Sequence, residues 1–240
     1  MDIAPYKEFS EKKLGVVFEN TELLVTALTH RSYVNEHKRS TKEHNERLEF
    51  LGDAVLELIV TDFLYNNYDE PEGILTSWRA SLVRTESIGA AGEKLGYESL
   101  LRLSKGEKQG STRARQQIMA NAFEAITGAI YLDKGYDAAQ KFIAANILSK
   151  LEGILESGSW RDPKSYLQEA AQRVDGHTPV YKVLEEEGPD HDKTFVLGVF
   201  VGSTLMGKGS GPSKQVAQQV AAKAALKKYE NSPKNAKQID

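Results

Sequence analysis

Hydrophobic spacing changes once along this 240-residue chain, and the change separates two kinds of fold. Up to about residue 155 apolar residues recur at helical spacing. "NTELLVTALTH" (20–30) carries Leu23, Leu24, Ala27 and Leu28 behind a capping Asn20. A second apolar helix is expected over 45–66, and one or two over 75–96, ending at Gly96. Another is expected over 116–135, stopped by Gly135, and "YDAAQKFIAANILSKLEGIL" (136–155) reads as amphipathic. "KGEKQGSTRAR" (105–115) reads as a polar surface loop. Residues 156–162, "ESGSWRD", break the pattern. Beyond them one helix leads into three strand-like runs, "PVYKVLEEE", "KTFVLGVFVG" and "STLMGKG". In the middle run Phe195, Leu197, Val199 and Val201 alternate with Val196, Gly198 and Phe200, the period of a strand. An Ala-rich helix follows. The expected fold is mainly α: an all-helical domain over 6–155, a linker over 156–162, and a small α-β-β-β-α domain over 163–230. The tail, 231–240, is expected to be disordered.

With 40% hydrophobic and 27% charged residues, this is the composition of a globular protein. No apolar stretch is long enough for a membrane span, and the N-terminus has no signal-peptide pattern. Cysteine is absent, which excludes disulfides, thiolate catalysis and Cys-ligated zinc, and suits a cytoplasmic protein. Net charge is −3 but uneven: residues 161–240 carry an excess of two positive charges, the first 160 an excess of five negative. His30, His37, His44, His177 and His191 have no metal-ligand spacing.

The segment "NERLEFLGDAVLELIV" (45–60) holds a conflict. Leu48, Phe50, Leu51, Ala54, Val55, Leu58 and Ile59 read as a buried helix, yet Glu46, Glu49 and Asp53 fall within about 60° of one another on it. Three carboxylates on one narrow face repel unless water or a cation separates them. Asn121 and Glu124, one turn apart, put oxygen donors on a second apolar helix. Antiparallel packing of the two helices would let Glu49, Asp53, Asn121 and Glu124 converge on one hard cation such as Mg2+. The alternative is a solvated helix edge, and spacing alone does not decide between them.

"HNERLEFLGDAVLEL" (44–58) resembles the signature of the ribonuclease III family, which cleaves double-stranded RNA. The resemblance runs on through "THRSY" (29–33), "EGILTSWRASLV" (72–83), the "KGE" of 105–107 and "FEAITGAIYLDKGY" (123–136). It implies that Glu49 and Glu124 are metal ligands, that Glu124 is also catalytic, and that Asp53 is the acid nearest the attacking water. Glu46 and Glu72 match accessory acids. The fourth ligand in most members is Asp; Asn121 departs from that pattern, which removes one negative charge and predicts weaker metal affinity. The implied reaction is hydrolysis assisted by Mg2+, with Mn2+ as a substitute. One ion would activate water and a second would stabilise the leaving 3′ oxygen, giving 5′-phosphate and 3′-hydroxyl ends. No small-molecule cofactor is implied. The family also implies a homodimer formed around the signature helix, although a buried core would explain Phe50 and Leu51 as well.

"DPKSYLQE", "GPDHDKTF" and "GKGSGPSKQVAQQVAAKAAL" resemble the three marker segments of a double-stranded RNA-binding domain. "GSGPSK" places free amides and the positive end of a helix dipole where an RNA phosphate would sit. Gln168 and Glu169 are expected to face one minor groove, Pro189, His191 and Asp192 the next, and Ser213 and Lys214 the phosphates between. Gln215 stands where most relatives carry a second cation, and Gln218 lies one turn later, so modest affinity is expected. The Lys and Arg residues of 105–115, with Lys223, Lys227 and Lys228, fit either phosphate contact or a solvated surface. The combined expectation is an endonuclease of double-stranded RNA in RNA processing. The rival is a non-catalytic RNA-binding protein whose metal site Asn121 has weakened.

Overall fold

The computed structural model describes residues 2–39, 43–189 and 193–230. Two compact units divide the chain, Met1–Trp160 and Arg161–Asp240, each with its own hydrophobic core.

Unit one is helical: α1 (Ala4–Phe9), α2 (Thr21–Ala27), α3 (Arg31–Glu36), α4 (Glu46–Asn67), α5 (Glu72–Val83), α6 (Thr85–Leu95), α7 (Thr112–Lys134), α8 (Tyr136–Asn146) and α9 (Leu151–Ser157). Local chemistry sets the ends. The Asn20 side chain accepts from Glu22 N at the start of α2, and Gly96 takes a left-handed φ of 77° to close α6. One sequence expectation is corrected here. The polar stretch 105–115 is not a loop throughout, because the Ser111 side chain accepts from Ala114 N and starts α7 at Thr112. A capping serine outweighs the polar composition.

Helices α4 and α7 form the central pair of the unit. They pack antiparallel, with Gly52 against Glu124 and Gly128 against Leu48. A methyl group at 52 would lie 1.7 Å from the Glu124 carbonyl oxygen, and one at 128 would lie 2.4 Å from the Leu48 carbonyl oxygen. Only glycine permits backbones this close. Leu48, Val55, Leu56, Ile59, Val60 and Leu64 fill the seam on the α4 side. The expectation of a wholly buried helix over 45–60 is therefore corrected. Phe50 is 81% exposed and Leu58 57%, and Ala54 between them is also exposed. With Tyr65 they form an outward apolar stripe at four- and seven-residue spacing, beside the acidic face.

Unit two runs α10 (Pro163–Asp175), β1 (Val180–Glu187), β2 (Thr194–Val201), β3 (Thr204–Gly211) and α11 (Lys214–Glu230). The strands form an antiparallel sheet in the order β1-β2-β3. Leu167, Ala170, Ala171, Val199, Val201, Ala221, Ala222 and Ala225 make the core between sheet and helices. Asp162 caps α10 by accepting from Ser165 N at 3.0 Å, and its other oxygen accepts from Gln219 Nε2 at 2.8 Å, tying α10 to α11. His191, Asp192 and the tail 231–240 lie outside the described residues.

Candidate metal centre and RNA-binding surface

The glycine contact fixes which carboxylates can meet. Gly52 touches the Glu124 backbone, so Asp53, next along α4, and Glu49, one turn earlier, lie close to Glu124 across the seam. Charge coupling registers this proximity. The Glu124 carboxyl is pushed up to about 8 by burial, then by the Asp53 and Glu49 charges. Glu49 is raised as well, by burial first and then by Glu46, against a hydrogen bond that the Asn121 amide donates to it; Asp53 adds to the rise. Antiparallel packing thus gathers Glu49, Asp53, Asn121 and Glu124 at one place, with Glu46 at its margin.

Glu46 is paired outward with Arg31 at 3.3 Å and lies 3.8 Å from His44 Nδ1. Glu72, in the first turn of α5, accepts from Thr76 Oγ1 at 3.3 Å; among the described residues nothing ties it to the other four. Likewise, no three acidic or imidazole side chains among the described residues are drawn into a closed ligand cluster. The acids are close enough to oppose one another's ionisation without being collected around a centre. Half-buried carboxylates that repel, offering only oxygen, suit a hard divalent cation, whose charge would relieve the repulsion. The residues fit such an ion.

Sequence reasoning missed Gln117. Its Nε2 donates to Asn121 Oδ1 at 2.7 Å, one turn along α7. The four-residue spacing of two amides on one helix was the available signal.

In unit two Gln168 and Glu169 are exposed on α10 and Pro189 is exposed after β1. Ser213 caps α11, its Oγ accepting from Val216 N at 3.2 Å. Lys214 is exposed, pairs with Glu186 at 3.0 Å and lies over the Phe195 ring at 5.3 Å. Gln218 Oε1 accepts from Lys164 Nζ at 2.7 Å. Lys164, which the sequence did not single out, therefore brings a cation to the first turns of α11, where Gln215 and Gln218 carry none.

A helical unit with an acidic oxygen-donor centre, followed by an α-β-β-β-α unit with a capped, lysine-bearing helix start, defines a metal-dependent nuclease joined to an RNA-binding domain. Residues 20–151 match the ribonuclease-III-like family model, and residues 163–229 match the double-stranded RNA binding motif. A protein named ribonuclease 3 from Oceanobacillus iheyensis is 45% identical over 97% of this chain and 100% of its own length. Another from Enterococcus faecalis is 44% identical, covering 90% of this chain and 94% of its own. The solved nuclease domain of Campylobacter jejuni ribonuclease III superposes with a TM-score of 0.52 at 36% identity, covering 58% of this chain and 96% of that one. The chain belongs to the ribonuclease III family. It is an endoribonuclease of double-stranded RNA that depends on a divalent metal ion, and nothing in the site favours the non-catalytic alternative. No helix among the described residues is long and apolar enough to cross a membrane.

Proposed function

We propose that Glu49, Asp53, Asn121 and Glu124 hold Mg2+, for which Mn2+ can substitute, and that Asp53 and Glu124 are the catalytic residues. The observation that carries this is the buried Glu124 carboxyl, raised to about 8 beside Asp53 and Glu49 across the α4–α7 seam. A bound divalent cation supplies Lewis acidity and offsets charge at the scissile phosphate. Asp53, exposed at the edge of the centre, accepts a hydrogen bond from the attacking water and orients it. Water adds across the P–O3′ bond: its oxygen goes to phosphorus, and a proton goes to the leaving 3′ oxygen. The ends are therefore 5′-phosphate and 3′-hydroxyl. Glu46 and Glu72 act as accessory acids on the approach to the RNA.

Gln168, Glu169, Pro189, His191 and Asp192 read the minor grooves, and Ser213, Lys214 and Gln218 meet the phosphates between. The protein acts as a homodimer, one centre for each RNA strand, which yields short 3′ overhangs. Support comes from the outward stripe of Phe50, Ala54, Leu58 and Tyr65, too apolar for a free surface. The Campylobacter jejuni relative also has a region described as involved in dimer formation. A chain without cysteine is suited to a reducing cytoplasm. The test is cleavage of a long plain duplex with Mg2+. Wild type is expected to cut it and Glu124→Gln to lose the activity while still binding the duplex. Undiminished cutting by Glu124→Gln would exclude this assignment.

A further inference from the structure

We propose that Gln117 is a positioning residue for the metal centre, holding the Asn121 amide with its nitrogen on Glu49 and its oxygen turned away. Loading the centre then requires that amide to turn over. This inference rests on the metal centre proposed above.

Two hydrogen bonds in series set the orientation. Asn121 donates to the Glu49 carboxylate, and its Oδ1 accepts from Gln117 Nε2 at 2.7 Å. A carboxylate only accepts, so Glu49 selects the nitrogen end of the amide. The oxygen end is left facing outward and needs a donor, which Gln117 supplies from one turn earlier on α7. In this position Asn121 neutralises part of the Glu49 repulsion, as a cation would. It also withholds the one atom a cation needs, because Mg2+ and Mn2+ take oxygen and not an amide N–H. Turning the Asn121 side chain by half a rotation brings Oδ1 to the centre and Nδ2 to Gln117. The Gln117 amide can turn over in the same way and accept through its own oxygen. The two amides therefore form a pair with hydrogen bonds in both positions, only one of which is competent for metal. Aspartate at 121 would have no such dependence, since it carries oxygen on both sides.

The test uses the full chain without RNA. Mn2+ affinity is read from the free-ion electron paramagnetic resonance signal for wild type, Gln117→Glu, Asn121→Asp and the double variant. Glutamate is isosteric with glutamine but only accepts, so it contends with Glu49 for the amide hydrogens and favours the oxygen-inward position. Gln117 is exposed, so the substitution leaves the fold intact, and circular dichroism checks this. Gln117→Glu is expected to tighten Mn2+ binding about five-fold, the worth of one net hydrogen bond. In the Asn121→Asp chain it should bring no gain. Equal tightening in both backgrounds would mean simple charge attraction and would overturn the proposal. A second readout is the Asn121 side-chain 1H–15N signal in metal-free protein, which should shift in Gln117→Glu; an unmoved signal also overturns it. Glu124→Gln separates the levels. If that variant binds Mn2+ as wild type does, the metal centre itself is wrong and this inference falls with it. If it loses binding while Gln117→Glu acts alike in both backgrounds, only the inference falls.

Discussion

Glu124 links the chemistry of the centre to the stability of the chain. Its carboxyl rises from an ordinary 4.5 to about 8 on folding, through burial and through the Asp53 and Glu49 charges. Between those values the folded chain binds a proton that the unfolded chain has released, so stability falls as pH rises through this window. Below about 4.5 both states are protonated and the cost disappears. The metal-free Glu124→Gln variant should therefore melt a few degrees above wild type at pH 8.5, and the gap should close toward pH 4.5. Calorimetry in the presence of a chelator measures it, and a gap independent of pH would show that the carboxyl is not strained. Metal binding should release a proton below pH 8 for the same reason. The identity of these acids was legible in the sequence, because three carboxylates on one helix face need an explanation. The orientation of Asn121 was not, because it depends on which atom of Glu49 lies across the seam.

The decisive event at the level of elements is the close approach of α4 and α7. Gly52 and Gly128 let the two backbones touch, and that contact sets the register in which Asp53 and Glu49 face Glu124. Gly52→Ala should destabilise the protein by about 3 kcal/mol or more, since a methyl cannot fit 1.7 Å from a carbonyl oxygen without separating the helices. It should also weaken metal binding, because Glu124 moves with its backbone. Gly73→Ala is the control: a methyl there meets nothing within 4 Å. Denaturant unfolding of the two variants reads the difference, and equal stability would refute a tight seam. Helical periodicity announced both helices, while their register depended on two glycines that look unremarkable in one dimension. Helix α7 starts earlier than its apolar pattern because Ser111 supplies a cap that hydrophobic spacing does not register.

At the scale of the whole molecule, two surfaces remain for macromolecules. The apolar stripe on α4 predicts that Phe50→Glu converts a dimer into a monomer. Sedimentation velocity reads this directly, and a monomeric wild type would remove the basis for paired cuts. On unit two, Lys214 is shared between Glu186 and an RNA phosphate. Lys214→Ala should weaken duplex binding and lower the slope of log affinity against log salt by about 0.9, one phosphate contact. An unchanged slope would place Lys214 outside the interface. Reading 45–60 as uniformly buried failed here for a general reason: apolar residues on a helix report that something covers them, not whether it is the same chain or another.

Periodicity, caps and residue chemistry are local, and they were enough to set the helical first unit, the α-β-β-β-α second unit and the oxygen-donor character of the centre. Each depends on neighbours within one or two turns or along one strand. The tertiary structure alone decided which helices touch, which apolar stripe stays outside, and which way an amide turns between Gln117 and Glu49. Those outcomes depend on atoms about 70 residues apart in the chain, brought within hydrogen-bonding reach where two glycines let backbones meet.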